Sequence, residues 1–132
     1  MRDFRKLDVW RKAHDLALAV NTATKSFPRD EALGLTSRVR RSAASIPTNI
    51  AEGCGRNGDR EFARFLDIAM GSASELAYQV LLAHDLGYLS DETYESLDSE
   101  ITRVMKMLTS LIRTIRPNVQ RPATIQPTPK SQ

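Results

Sequence analysis

Residues 90–117 read SDETYESLDSEITRVMKMLTSLIRTIRP, and within them Tyr94, Leu97, Ile101, Val104, Leu108, Leu111 and Ile115 recur in alternating steps of three and four. A helix turning every ~3.6 residues gathers such positions into one apolar seam, so this stretch reads as a helix packed along its length against neighbours. Ser90, Asp91 and Glu92 supply a cap and acids for the first turn. Arg113 and Arg116 place positive charge in the last turn before Pro117, which predicts a helix over about 91–116.

The same period runs upstream in three more blocks. Phe62, Phe65, Leu66, Ala69, Ala73, Leu76, Val80 and Ala83 predict a helix over about 59–86, ending at Gly87 as a C-cap. Trp10, Ala13, Leu16, Ala17, Val20 and Ala23 predict one over about 8–25, stopped before Phe27 and Pro28. Leu35, Val39, Ala43, Ile46 and Ile50 predict one over about 31–53, with a kink at Pro47, which lacks a backbone donor. Gly53 and Gly55 then end this helix, and Asn57 to Asp59 start the next. Four amphipathic helices joined by short breaks make the expected fold all-α, an antiparallel up-down-up-down four-helix bundle forming one domain over 1–116.

Composition fits that reading. In 132 residues, 41% hydrophobic against 27% charged is the balance of an ordinary globular domain. The single cysteine, Cys54, cannot close an intrachain disulfide or build a cysteine metal cluster. The N-terminus MRDFRKLDVW lacks a signal peptide's apolar run of about 7–15 residues, and nothing later approaches the ~18 that span a membrane. A cytoplasmic protein without membrane contact is expected. Residues 117–132 hold four of the six prolines and few apolar side chains, the composition of a disordered, Pro-rich basic tail.

The net charge of +3 is unevenly distributed. Residues 1–64 hold 13 Lys and Arg against 8 Asp and Glu, residues 65–102 hold none against 8, and residues 103–132 hold 6 against none. Up-down-up-down topology brings the start of helix one, the turn between helices two and three and the end of helix four to one pole. That pole collects Arg2, Arg5, Lys6, Arg11, Lys12, Arg56, Arg60, Arg64, Arg113 and Arg116, while Asp85, Asp91, Glu92, Glu95 and Asp98 lie at the other. Helix-dipole preferences account for helix four but not for bases at the start of helices one and three. The pole reads either as a surface for nucleic acid or another anion, or as solvated charge.

Two polar features stand out against the bundle pattern. Arg38, Arg41, Ser45, Asn49 and Glu52 share a stripe of helix two, about a third of a turn from its apolar stripe. In a structural reading Glu52 is buried and paired with an arginine, and Asn49 bonds backbone freed by Pro47; in the alternative the stripe binds a ligand. Helix three carries Gly71, Ser74, Glu75, Tyr78 and Leu82 opposite its core. Glycine inside a helix costs about 1 kcal/mol relative to alanine, so its presence there suggests close approach by another backbone, in a bundle this small that of a second subunit.

Catalytic and cofactor motifs are not found. A di-iron bundle needs Glu three residues before each ligating His, whereas Arg11 and Leu81 precede His14 and His84. Gly53, Gly55 and Gly58 spell a GxGxxG string, but after a helix rather than a strand, so it is no dinucleotide site. Cys54, between glycines at a helix end, could present a somewhat exposed thiol, without a histidine near in sequence. No cofactor, metal or catalytic residue is expected.

LDVWRKAHDL near the start, RRSAASIPTNIAEGCGR (40–56) and EFARFLDIAMGSASELAYQVLLAHDLGYL (61–89) closely resemble the bacterial four-helix proteins encoded in intervening sequences of large-subunit rRNA genes, once labelled ribosomal. These are similar in turn to the accessory variability protein that works with the reverse transcriptase of diversity-generating retroelements. The resemblance covers about 4–116. It implies a ring-like homopentamer without known catalysis, with a basic surface that in the retroelement relatives contacts nucleic acid and the polymerase. Ser45, Asn49, Glu52 and Gly53 fall in the first family motif, and Gly71, Ser72 and Glu75 in the second. Arg38, where relatives often carry glutamine, and Ala77-Tyr78, where a polar pair is common, depart from the pattern at positions that bear on the subunit interface.

The function expected is thus a non-enzymatic homo-oligomeric bundle that binds RNA or DNA weakly specifically through its basic pole. Its partners would be itself and a reverse-transcriptase or ribosomal assembly. The competing expectation is a protein-interaction scaffold without nucleic-acid affinity.

Overall fold

The computed structural model describes residues 2–120. A 3-10 turn at Phe4–Lys6 leads into helix α1 (Asp8–Ala23), and further 3-10 turns at Thr24–Ser26 and Arg29–Glu31 precede α2 (Leu35–Cys54). Helices α3 (Gly58–Asp85) and α4 (Asp91–Gln120) follow. Each helix packs on the next and α4 returns to α1, an all-α arrangement of sequentially adjacent helices consistent with a four-helix bundle. The apolar seams meet in one core, in which Leu16 and Val20, Ile46 and Ile50, Phe62, Leu66 and Leu76, and Val104 and Leu108 are almost wholly removed from water. Burying side chains of this size stabilises the fold by roughly 1.5–3 kcal/mol each.

Two helix boundaries depart by several residues from the sequence expectation. Helix α2 begins at Leu35, not near 31, because Glu31 acts as a cap from outside: its Oε1 accepts from the Leu35 N–H at 3.2 Å. The other carboxylate oxygen of Glu31 accepts from the Tyr88 hydroxyl at 2.8 Å, tying the α1–α2 connection to the α3–α4 turn. Helix α4 continues past Pro117 to Gln120, just as α2 runs continuously through Pro47, since each proline removes only one backbone bond. The remainder of the expected tail, residues 121–132, lies outside the described residues.

The α3–α4 turn forms where predicted. Gly87 adopts φ +84°, and the Tyr88 N–H reaches back to the Ala83 carbonyl at 2.9 Å, the left-handed closure of a helix end. Within the chain, close helix approach occurs at Gly53. A Cβ at Gly53 would lie 2.8 Å from the Phe65 Cβ, whereas nothing stands within 4 Å of one at Gly71.

Candidate nucleic-acid interface and the polar seam

The segment before α1, the α2–α3 turn and the C-terminal part of α4 come together on the first half of α3. The Arg2 N–H donates to the Cys54 carbonyl at 2.9 Å, the Arg2 guanidinium meets Asp59 at 2.7 Å, and Arg116 of α4 holds both carboxylate oxygens of Asp67 in α3. The cations assigned to one pole from the charge pattern therefore belong to helix ends that do meet.

Most of that charge is engaged within the chain. Six of the ten cations pair with carboxylates: Arg2 with Asp59, Arg5 with Asp3, Arg11 with Asp8, Arg56 with Glu52, Arg64 with Glu61 and Arg116 with Asp67. Lys6, Lys12, Arg60 and Arg113 make no ion pair among the described residues. Aromatic rings hold several guanidinium groups in place: Arg2 lies 4.1 Å over Phe62, and Arg64 and Arg56 lie 4.6 and 5.2 Å from the Phe65 centroid. The hydrogen bond from Arg64 holds the Glu61 carboxyl below its ordinary pKa. Sequence reading missed these phenylalanines as arginine platforms, because it assigned both to the core.

The polar stripe of α2 faces α3 across a cleft of about 180 Å³ lined by Arg38, Arg41, Ser42, Ser45 and Glu75. Ser45 Oγ and Ser72 Oγ are 2.7 Å apart, which joins the two motif segments directly. Asn49 donates through Nδ2 to the Ser45 carbonyl at 2.8 Å and to Ser45 Oγ at 3.0 Å. It does not serve the carbonyl of Ala43, the group that Pro47 deprives of its donor. Glu52 pairs with Arg56 at 3.0 Å, but its side chain is 46% exposed, so the expectation of a buried pair is corrected. At helical spacing one turn C-terminal to Asn49, it has already rotated toward solvent.

Two further polar residues extend the seam and were not anticipated. Ser42 precedes Ser45 by one turn and lines the cleft, and Gln79 follows Glu75 by one turn and is buried with its Oε1 unpartnered, as is Thr36 Oγ1. Ser42 lies between Arg41 and Ser45 and Gln79 between Tyr78 and Leu82, so widening each stripe by one residue would have found both. Ser74, Glu75 and Tyr78 are exposed on α3, as is Gly71. Cys54 is fully buried, not partly exposed, and burial pushes its thiol above the ordinary range, which disfavours the thiolate a nucleophile requires.

A small all-α protein of four successive helices, with basic residues at the pole where its ends meet, is what this sequence builds. The chain belongs to the 23S rRNA-intervening sequence protein family, whose model matches residues 5–110. It is also similar to the crystal structure of a Bacteroides thetaiotaomicron protein of unknown function from the S23 ribosomal protein family. That similarity has 28% sequence identity and a TM-score of 0.73, and it covers 80% of this chain and 95% of the other. None of the curated proteins matches the chain. Among the described residues, no helix is long and apolar enough to cross a membrane, and no group of three or more His, Cys, Asp or Glu is placed to hold a metal ion.

Proposed function

We propose that this protein is a non-enzymatic, cytoplasmic homo-oligomer that contacts RNA or DNA, or a nucleoprotein assembly, through its basic pole, as an accessory to an rRNA intervening sequence or a reverse-transcriptase element. The observation that carries the reading is the convergence of helix ends at one pole, to which the charge pattern assigns Lys6, Lys12, Arg60 and Arg113, none of them with a carboxylate partner among the described residues. Apart from the part-buried Arg2–Asp59 bridge, the paired cations lie in exposed bridges, which are weakly held and open to exchange for phosphate. Such contacts position a nucleic acid without reading its sequence.

The oligomer we propose is the family's homopentameric ring. Its support is the outward face of α3, where Gly71 has open space before it and Ile68, Tyr78 and Leu81 are 41%, 61% and 40% exposed. Small and apolar side chains together suit a subunit contact better than water. That same face favours the second reading, a scaffold that binds only proteins.

Filter retention of labelled RNA at about 50 mM salt, where phosphate contacts are least screened, tests the first reading. Retention that disappears with added salt is the expected result. No retention would leave the scaffold as the better account.

A further inference from the structure

A second surface lies beside the basic pole. Trp10 and His14, one turn apart on α1, stack with ring planes 7° apart and centroids 5.0 Å apart, and Phe4 meets Trp10 edge-on at 4.8 Å. These rings form one wall of a groove of about 340 Å³ between α1 and α2. The opposite wall consists of Ala44, Pro47, Thr48 and Ala51, all small side chains of α2. Core packing uses neither His14 nor Thr48, both of which are exposed.

Cations bracket the groove. At the pole, the Arg5 guanidinium lies 4.5 Å over the Phe4 ring. About one turn beyond the other end of its lining, Arg40 crosses from α2 to the end of α1, donating to Thr24 Oγ1 at 2.7 Å and the Asn21 carbonyl, with no carboxylate partner among the described residues. A stacked aromatic wall between two guanidinium groups is complementary to a flat base on a charged backbone, the chemistry of an unpaired nucleotide. A base inside a duplex is stacked on both faces and has none to offer. From these features we infer that the α1–α2 groove takes a base of a single-stranded nucleic acid against Trp10 and His14. The inference rests on the reading of the pole as a nucleic-acid surface and gives that surface its ligand class.

Trp10 is the chain's one tryptophan, so its fluorescence reports on this groove alone. The experiment titrates the full-length protein with labelled oligoadenylate of about 12 nucleotides, as RNA and as DNA, and with a duplex of equal length, following label anisotropy and Trp10 emission together. Single strands of either sugar are expected to quench Trp10 saturably, and the duplex to bind without quenching. His14→Ala removes the outer ring and Thr48→Leu fills the groove, both at exposed positions that the core does not need. Each is expected to weaken single-strand binding roughly 10-fold and leave duplex binding unchanged.

Single strands that bind without altering Trp10, and bind both variants like the wild type, would overturn this inference and leave the basic pole standing. Absence of all nucleic-acid binding would overturn both. Trp10 emission that depends on protein concentration without oligonucleotide, and does not respond to it, would assign the groove to a second copy of the chain and overturn the inference as well.

Discussion

Gly53 of α2 backs onto Phe65 of α3 so closely that a Cβ at position 53 would stand 2.8 Å from the Phe65 Cβ and 3.1 Å from Phe62 Cδ1. Both Cβ positions are fixed by their own backbones, so no rotamer change relieves the contact. The glycine of the first family motif thereby sets the distance between two helices, beside the turn where the basic pole is assembled.

Gly53→Ala should therefore be destabilising although alanine is the better helix former. Overpacking costs typically 1–3 kcal/mol against a propensity gain of about 1 kcal/mol, so the net loss expected is up to about 2 kcal/mol. At Gly71, where nothing lies within 4 Å, alanine should instead stabilise the protomer by roughly 0.5–1 kcal/mol. Urea denaturation of the two variants separates these signs.

If the outer face of α3 is the subunit contact, light scattering should give a mass near five times 14.8 kDa. Gly71→Trp should then reduce that mass to a single chain without loss of helical circular dichroism. A wild-type protein that remains a monomer at micromolar concentration would refute the ring.

Glu52→Ala should cost less than about 1 kcal/mol, since its pair with Arg56 is a half-exposed bridge between the last turn of α2 and the α2–α3 turn. The deficit should shrink further in high salt. A loss of about 3 kcal/mol in denaturant titration would mean that the carboxylate is buried after all.

His84 lies between Asp91, 2.6 Å from Nε2, and Asp85, 3.3 Å from Nδ1, and stacks on Tyr94. The hydrogen bond to Asp91 is the chief cause that raises its pKa above the ordinary value of 6.5. The pKa being higher folded than unfolded, the stability it contributes is fully present below about pH 6.5 and is lost as pH rises through the folded pKa. The melting temperature of the wild type should exceed that of His84→Gln most in mild acid, and the gap should close in mild alkali. A constant gap across that range would remove the protonated clamp from the account.

Replacing Lys6, Lys12, Arg60 and Arg113 with serine should flatten the salt dependence of nucleic-acid binding, by up to ~0.9 in log–log slope for each duplex phosphate that is no longer neutralised. Arg103 and Lys106, which lie outside the set assigned to the pole, serve as controls that should change little. Equal effects of both sets would show that net charge, not the pole, governs binding.

Much of the fold was written in spacing. Alternate steps of three and four from Tyr94 to Ile115, and the matching stripes upstream, determined four helices, their inward faces and the tight turn at Gly87, because helical period and glycine's left-handed backbone are local properties. The meeting of basic ends followed from the same pattern once successive helices alternate in direction. Tertiary structure alone decided which cations are already satisfied, that Glu52 faces water, that Cys54 does not, and that Gly53 rather than Gly71 is the tight glycine within the protomer. It also decided that Trp10 and His14 face a groove between α1 and α2. Each of these depends on the rotation and separation of two helices distant in sequence, and those are set by how side chains from both interlock, which no single stripe specifies.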